Sequence, residues 1–180
     1  MRRYLLVIIA VLLATTGCAA AVSTADPGNQ LAPSQDRQGS GQLATVLQPL
    51  QGTSLNEKPY SPVRLAGKSV VLWFWAPWCT ICRGEAPSVA RAAAELGNDV
   101  TFVGVPGLGT RSEMQQFVDD TGVGGFTHLP DDNGDIWKAY GIASQPAWVF
   151  ITPSGKASTF NGALGYDKII ELAANLPLDT

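Results

Sequence analysis

Cysteine and histidine are scarce in this chain, and that scarcity narrows the chemistry at once. Three cysteines, Cys18, Cys79 and Cys82, and one histidine, His128, stand among 180 residues. A structural zinc site usually draws its ligands from two pairs, and Cys79 and Cys82 find no second pair here. No metal ion and no cofactor are expected. Charge is also sparse: 15% of residues are charged and the formal net charge is −3. The sequence has no basic patch, so a nucleic-acid partner is not expected. Internal repeats are lacking, and nothing marks a second folded domain. At 46% hydrophobic, the chain has enough apolar material for one domain with a proper core.

What is present centres on Trp75-Ala76-Pro77-Trp78-Cys79-Thr80-Ile81-Cys82. The segment follows an almost unbroken apolar run, Val70 to Phe74, which suits a buried central strand of a parallel sheet. It precedes a stretch that reads as a helix from about Cys79 to Leu96. Spacing of i and i+3 puts both sulfurs on one helix face, near the ~5.5–6 Å Cα separation that a disulfide prefers. The unpaired N–H groups and positive dipole end of that first turn favour a thiolate at Cys79. Cys79 is therefore the expected attacking sulfur and Cys82 the resolving one. A static bridge is the plainer reading, but closing so short a loop restrains the unfolded chain little.

Around this centre the chain divides into three parts. Met1-Arg2-Arg3 and the apolar Tyr4–Ala14 read as a signal peptide over 1–17, too short for the ~20 residues of a membrane span. Residues 18–41 are rich in Ala, Ser, Gln, Gly and Pro and read as a flexible tether. Residues 42–180 form the expected domain. Within it, Gln42–Leu47 and Thr53–Leu65 read as short strands or a hairpin. Ser69–Trp75 and Val100–Val105 read as buried strands, and Arg111–Asp120 as a helix with Ser112 a candidate N-cap. Phe126–Leu129 reads as extended and Ile136–Tyr140 as a helical turn or two. Ala147–Ile151 and Ala157–Asn161 read as a hairpin, and Tyr166–Asn175 as a closing amphipathic helix. This alternation predicts an α/β architecture with a central sheet covered on both faces.

Two sets of motifs carry a resemblance to known families. Ala14-Thr15-Thr16-Gly17-Cys18 resembles a bacterial lipobox, although Thr15 stands where an aliphatic residue is usual. That resemblance implies lipidation of Cys18 and attachment to the outer face of the cytoplasmic membrane. The rival is cleavage after Ser23-Thr24-Ala25 and release. Either route places the domain outside the cytoplasm, where disulfides persist.

The second set is Leu65-Ala66-Gly67-Lys68 before the strand, Cys79 to Pro87 as Cys-x-x-Cys-Arg-x-Glu-x-Pro, and Tyr140-Gly141-Ile142 before Gln145-Pro146. It resembles the TlpA/ResA/DsbE branch of extracytoplasmic thioredoxin-like proteins, and in detail the secreted Dsb-type proteins of actinobacteria. The resemblance implies a thioredoxin-like fold, a central mixed sheet covered by helices on both faces. It implies an enzyme of thiol–disulfide exchange with Cys79 and Cys82 as the redox pair. Pro146 matches the family's cis-proline, with the Gln145 backbone binding an extended substrate and Trp78 offering it an apolar face. Glu85 matches an acid that can exchange a proton with Cys82; the plainer reading is a solvated first-turn residue. Trp73 stands where many thioredoxins hold a buried Asp, and the segment between the cysteines has neither Pro nor His.

The implied partners are exported proteins carrying thiols or disulfides, together with a membrane or envelope redox partner. Oxidation of exported proteins is the preferred direction. The alternative is a reductase serving cytochrome c maturation or other envelope thiols. A thiol peroxidase on this fold would carry Thr where Ala76 stands. His128, Trp137 and Trp148 are expected to be structural.

Overall fold

The computed structural model describes residues 36–176, with side chains from 41, and these form one compact unit. The expected leader, the lipidation site Cys18 and the tether as far as residue 35 lie outside the described residues.

The molecule is built on the strand the apolar run predicts. All seven residues of Ser69–Trp75 are buried, and the strand lies at the middle of a five-stranded sheet. Its side chains alternate with period two. Val71, Trp73 and Trp75 enter one core layer, while Val70, Leu72 and Phe74 enter the other. Two cores on opposite faces explain why the run is apolar without interruption.

In chain order the elements are α1 (Asp36–Leu47), β1 (Gly52–Thr53), β2 (Pro59–Tyr60), β3 (Ser69–Trp75), α2 (Thr80–Leu96), β4 (Val100–Pro106) and α3 (Arg111–Thr121). They continue with β5 (Thr127–His128), α4 (Asp135–Ala139), β6 (Ala147–Ile151), β7 (Ala157–Asn161) and α5 (Tyr166–Ala174). The sheet order is β5-β4-β3-β6-β7. β3 runs parallel to β4 but antiparallel to β6, so the sheet is mixed. Residues of α2, α3 and α5 cover the Trp73 face, and those of α1 and α4 cover the other.

Three expectations need correction. Gln42–Leu47 is not a strand; it belongs to α1, which also takes residues 36–41 from the expected tether. Leu43 and Leu47 are buried there, with Leu50 one short turn beyond. Spacings of four and three follow the helical period, and their burial outweighs the poor helix propensity of Gly39, Ser40 and Gly41. The hairpin within Thr53–Leu65 shrinks to the two-residue strands β1 and β2, followed by a 3₁₀ turn over Pro62–Leu65. The N-cap of α3 is Thr110, not Ser112. Its hydroxyl accepts the Glu113 N–H while the Glu113 carboxylate accepts the Thr110 N–H, forming a capping box. The remaining elements agree with expectation to within two residues.

Candidate active site

Three loops meet at the C-terminal end of β3. Residues 76–79 continue that strand. The β4–α3 loop begins beside it, where the Gly107 N–H donates to the Trp75 carbonyl at 3.0 Å. Register does the rest on the other side. Phe74 pairs with Ala147, which sets Pro146 next along, level with Trp75. Sheet topology thereby brings Pro146 to the edge where the cysteines lie. The Gln145–Pro146 bond is cis, as the resemblance implies; Pro146 is buried and Gln145 half-buried.

Cys79 and Cys82 form a disulfide with a Cα separation of 5.3 Å. Cys79 is the N-cap residue of α2, and its sulfur accepts the Cys82 N–H at 3.0 Å. A cap oxygen normally fills this place. When the bridge opens, a thiolate here keeps that N–H bond, now charge-assisted, and is favoured by the positive end of the helix. Cys82 is wholly buried and Cys79 is 5% exposed, so Cys79 is the sulfur a partner can reach.

The rim is apolar. Trp78 and Ile81 are each 61% exposed, and Leu108 from the β4–α3 loop is 60% exposed. The Trp78 indole N–H donates to the Leu108 carbonyl at 2.7 Å, which ties two loops together across thirty residues. Leu108 adopts a positive φ of 58° between two glycines. Arg83, one turn into α2, pairs with Asp120 and lies over the Phe117 ring.

Beneath the disulfide the core is aromatic. Trp75 stacks on Phe117 at 4.1 Å, and Trp73 lies 5.8 Å from Trp75. Glu85 stands at i+3 from Cys82 on the same helix face and is only 6% exposed. Its Oε1 accepts the Trp73 indole N–H at 3.0 Å, while Oε2 is buried without a hydrogen-bond partner. Burial drives the Glu85 pKa up to about 8; the Trp73 N–H and, more weakly, the Leu164 amide pull against that rise. The plainer expectation, a solvated first-turn residue, is corrected by this burial. His128, on β5, is packed into the same layer. Its Nε2–H donates to the Val123 carbonyl at 2.9 Å, and burial lowers its pKa to about 4. Trp137 and Trp148 are core residues, as expected.

Sequence reasoning missed two participants, the Leu108 carbonyl and the Trp73 indole. Neither partner of these bonds is marked in the sequence: Trp73 reads as a residue of the apolar run standing where many thioredoxins hold an Asp, and Leu108 carries no motif. Among the described residues, no group of three or more His, Cys, Asp or Glu side chains is placed to hold a metal ion.

The fold and this disulfide at a helix N-terminus define a thioredoxin-fold protein with a vicinal cysteine pair. The sequence pattern of the AhpC/TSA family matches residues 45–158, and the chain belongs to that family. Among curated relatives, it is 41% identical over 109 residues to the soluble secreted antigen MPT53 of Mycobacterium tuberculosis, covering 61% of this chain and 62% of that protein. It is 36% identical over 107 residues to the thiol-disulfide oxidoreductase ResA of Oceanobacillus iheyensis, covering 58% and 55%. The chain thus spans less than two thirds of the length of these relatives. Among solved structures, MTB DsbF, captured in mixed oxidised and reduced forms, superposes with a TM-score of 0.70 at 39% identity, covering 73% of this chain and 97% of that one.

Proposed function

We propose that this protein is an extracytoplasmic thiol–disulfide oxidoreductase that passes its Cys79–Cys82 disulfide to exported proteins. The observation that carries this reading is the disulfide itself, with the sulfur of Cys79 capping α2 and accepting the Cys82 N–H. The ResA and DsbF likenesses support the chemistry, and the secreted MPT53 supports the compartment.

In the oxidising direction, a substrate thiolate attacks the Cys79 sulfur. The Cys79–Cys82 bond breaks and Cys82 leaves as a thiolate, taking up the proton of the Glu85 carboxyl. With a pKa near 8, Glu85 carries that proton at neutral pH. A second substrate thiolate then attacks the substrate sulfur of the mixed disulfide, and Cys79 leaves as a thiolate. The substrate has lost two electrons and the cysteine pair has gained them. An envelope redox partner restores the bridge. Gln145 and Pro146 present backbone to the extended substrate, and Trp78 covers its apolar flank. Lipid on Cys18 would hold the domain at the membrane.

The test is equilibration of the Cys79/Cys82 couple with glutathione, alongside oxidation of reduced, unfolded ribonuclease A. A potential well above about −200 mV supports the oxidase reading, and one near about −270 mV assigns the protein to envelope reduction instead. No exchange in either direction refutes both.

A further inference from the structure

The Trp73–Glu85 contact has a chemical asymmetry that the proton exchange just described does not use. An indole N–H donates and cannot accept. Its bond to Oε1, at 3.0 Å, therefore requires Oε1 to be an acceptor in either charge state of the carboxyl. When Glu85 is protonated, its carbonyl oxygen is the better acceptor, so the indole bond at Oε1 favours the hydrogen on Oε2. That oxygen is buried without a hydrogen-bond partner, and the Leu164 amide, which can also only donate, acts on the carboxyl more weakly than the indole. We propose that Trp73 is a positioning residue that reserves Oε2 of Glu85 for the proton exchanged with Cys82, an inference that rests on the Glu85 role given above.

The indole is well held for this task. Trp73 pairs with Trp148 and Gly104 across the sheet. Its ring is hemmed in by Trp75, Phe117 and Trp148 at centroid distances of 5.8, 6.1 and 6.0 Å. Swinging away would require several large side chains to move in a close-packed layer. A side chain that both donates and accepts, such as Asn, could bond to either protonation form at Oε1 and would leave the proton's place undecided. Trp73 decides it.

Among the described residues, no charged side chain forms a hydrogen bond or ion pair with Glu85. β3 contributes the Trp73 indole and the segment before α5 contributes the Leu164 amide; Cys82 stands three residues before Glu85 on α2. Arg83 on α2, Asp120 on α3, and Asp167, Lys168 and Glu171 on α5 are exposed. His128 is the other buried titratable group of this layer and is neutral at neutral pH.

The experiment follows the Glu85 carboxyl by carbon-13 NMR and the rate of Cys82 expulsion against pH, in wild type, W73F, E85Q and W73F/E85Q. Loss of the N–H bond to the carboxylate should raise the Glu85 midpoint by about one pH unit or more in W73F, and delay the alkaline fall in rate equally. E85Q should lack that alkaline limb, and W73F/E85Q should match E85Q. To separate the N–H from the shape of the ring, benzothienylalanine at position 73 keeps the shape without the donor and should reproduce the shift. An unmoved midpoint in both variants, or a W73F shift that survives in the E85Q background, overturns the assignment of Trp73 alone. An E85Q profile that retains the wild-type limb removes the Glu85 role and this inference together.

Discussion

At the scale of single residues, Cys79 and Cys82 share one bond but face different surroundings. Cys79 keeps a small exposed fraction with a backbone N–H aimed at its sulfur, while Cys82 is sealed in the core. The difference predicts an asymmetric pair of variants. Cys79→Ser should abolish exchange with a dithiol substrate, whereas Cys82→Ser should still attack and accumulate a mixed disulfide visible on non-reducing gels or by mass spectrometry. Equal behaviour of the two variants would contradict the assignment of roles. The Cys79–Cys82 bridge is legible from its i, i+3 spacing, whereas Glu85, Gln145 and Pro146 enter only through the family resemblance. Leu108 and Trp73 were not legible. Their partners lie 30 and 12 residues away, and only the folded chain brings a carbonyl to one indole and a carboxylate to the other.

The secondary-structure elements teach a different lesson. β3, β6 and β7 were readable to the residue, because apolar runs and turn residues bound them sharply. α1 was not, because its first half contains Gly39, Ser40 and Gly41, and its buried apolar positions are only Leu43 and Leu47, continued by Leu50 in the turn beyond. Its docking depends on Gly155, in the β6–β7 turn. Gly155 has φ +92°, and a Cβ there would come within 2.7 Å of the Leu43 backbone. Gly155→Ala should therefore cost about 1–3 kcal/mol in denaturant unfolding and raise amide exchange in α1. Wild-type exchange rates would show that the helix does not rest on this turn. For α3, Thr110→Ala removes the hydroxyl half of the capping box and should cost about 1 kcal/mol. Ser112→Ala should cost little, since Thr110 is the cap.

For the molecule as a whole, two buried groups oppose each other in their response to pH. His128 has its pKa lowered from 6.5 to about 4, so the unfolded chain binds the extra proton first as pH falls below 6.5. Its contribution makes stability rise with pH from about 4 to 6.5, by about 1.4 kcal/mol per unit. Glu85 has its pKa raised from 4.5 to about 8, so the folded state holds the extra proton in that window. Its contribution makes stability fall with rising pH over the same range, with a slope of similar size. The two offset each other from 4.5 to 6.5 and leave a loss between 6.5 and about 8. Urea unfolding should trace a plateau followed by a decline, and Glu85→Gln should remove the decline. A wild-type curve rising through pH 8 would contradict the buried carboxyl.

The bond from the Trp78 indole to the Leu108 carbonyl reaches beyond the rim it closes. Reducing the bridge changes the residue next to Trp78 in the chain, and the indole bond offers that change a route to the Leu108 loop. The amide resonances of Leu108 and Gly109 should therefore act as a remote gauge of oxidation state, and a nitrogen-15 spectrum could read the charge of the couple without any label on cysteine.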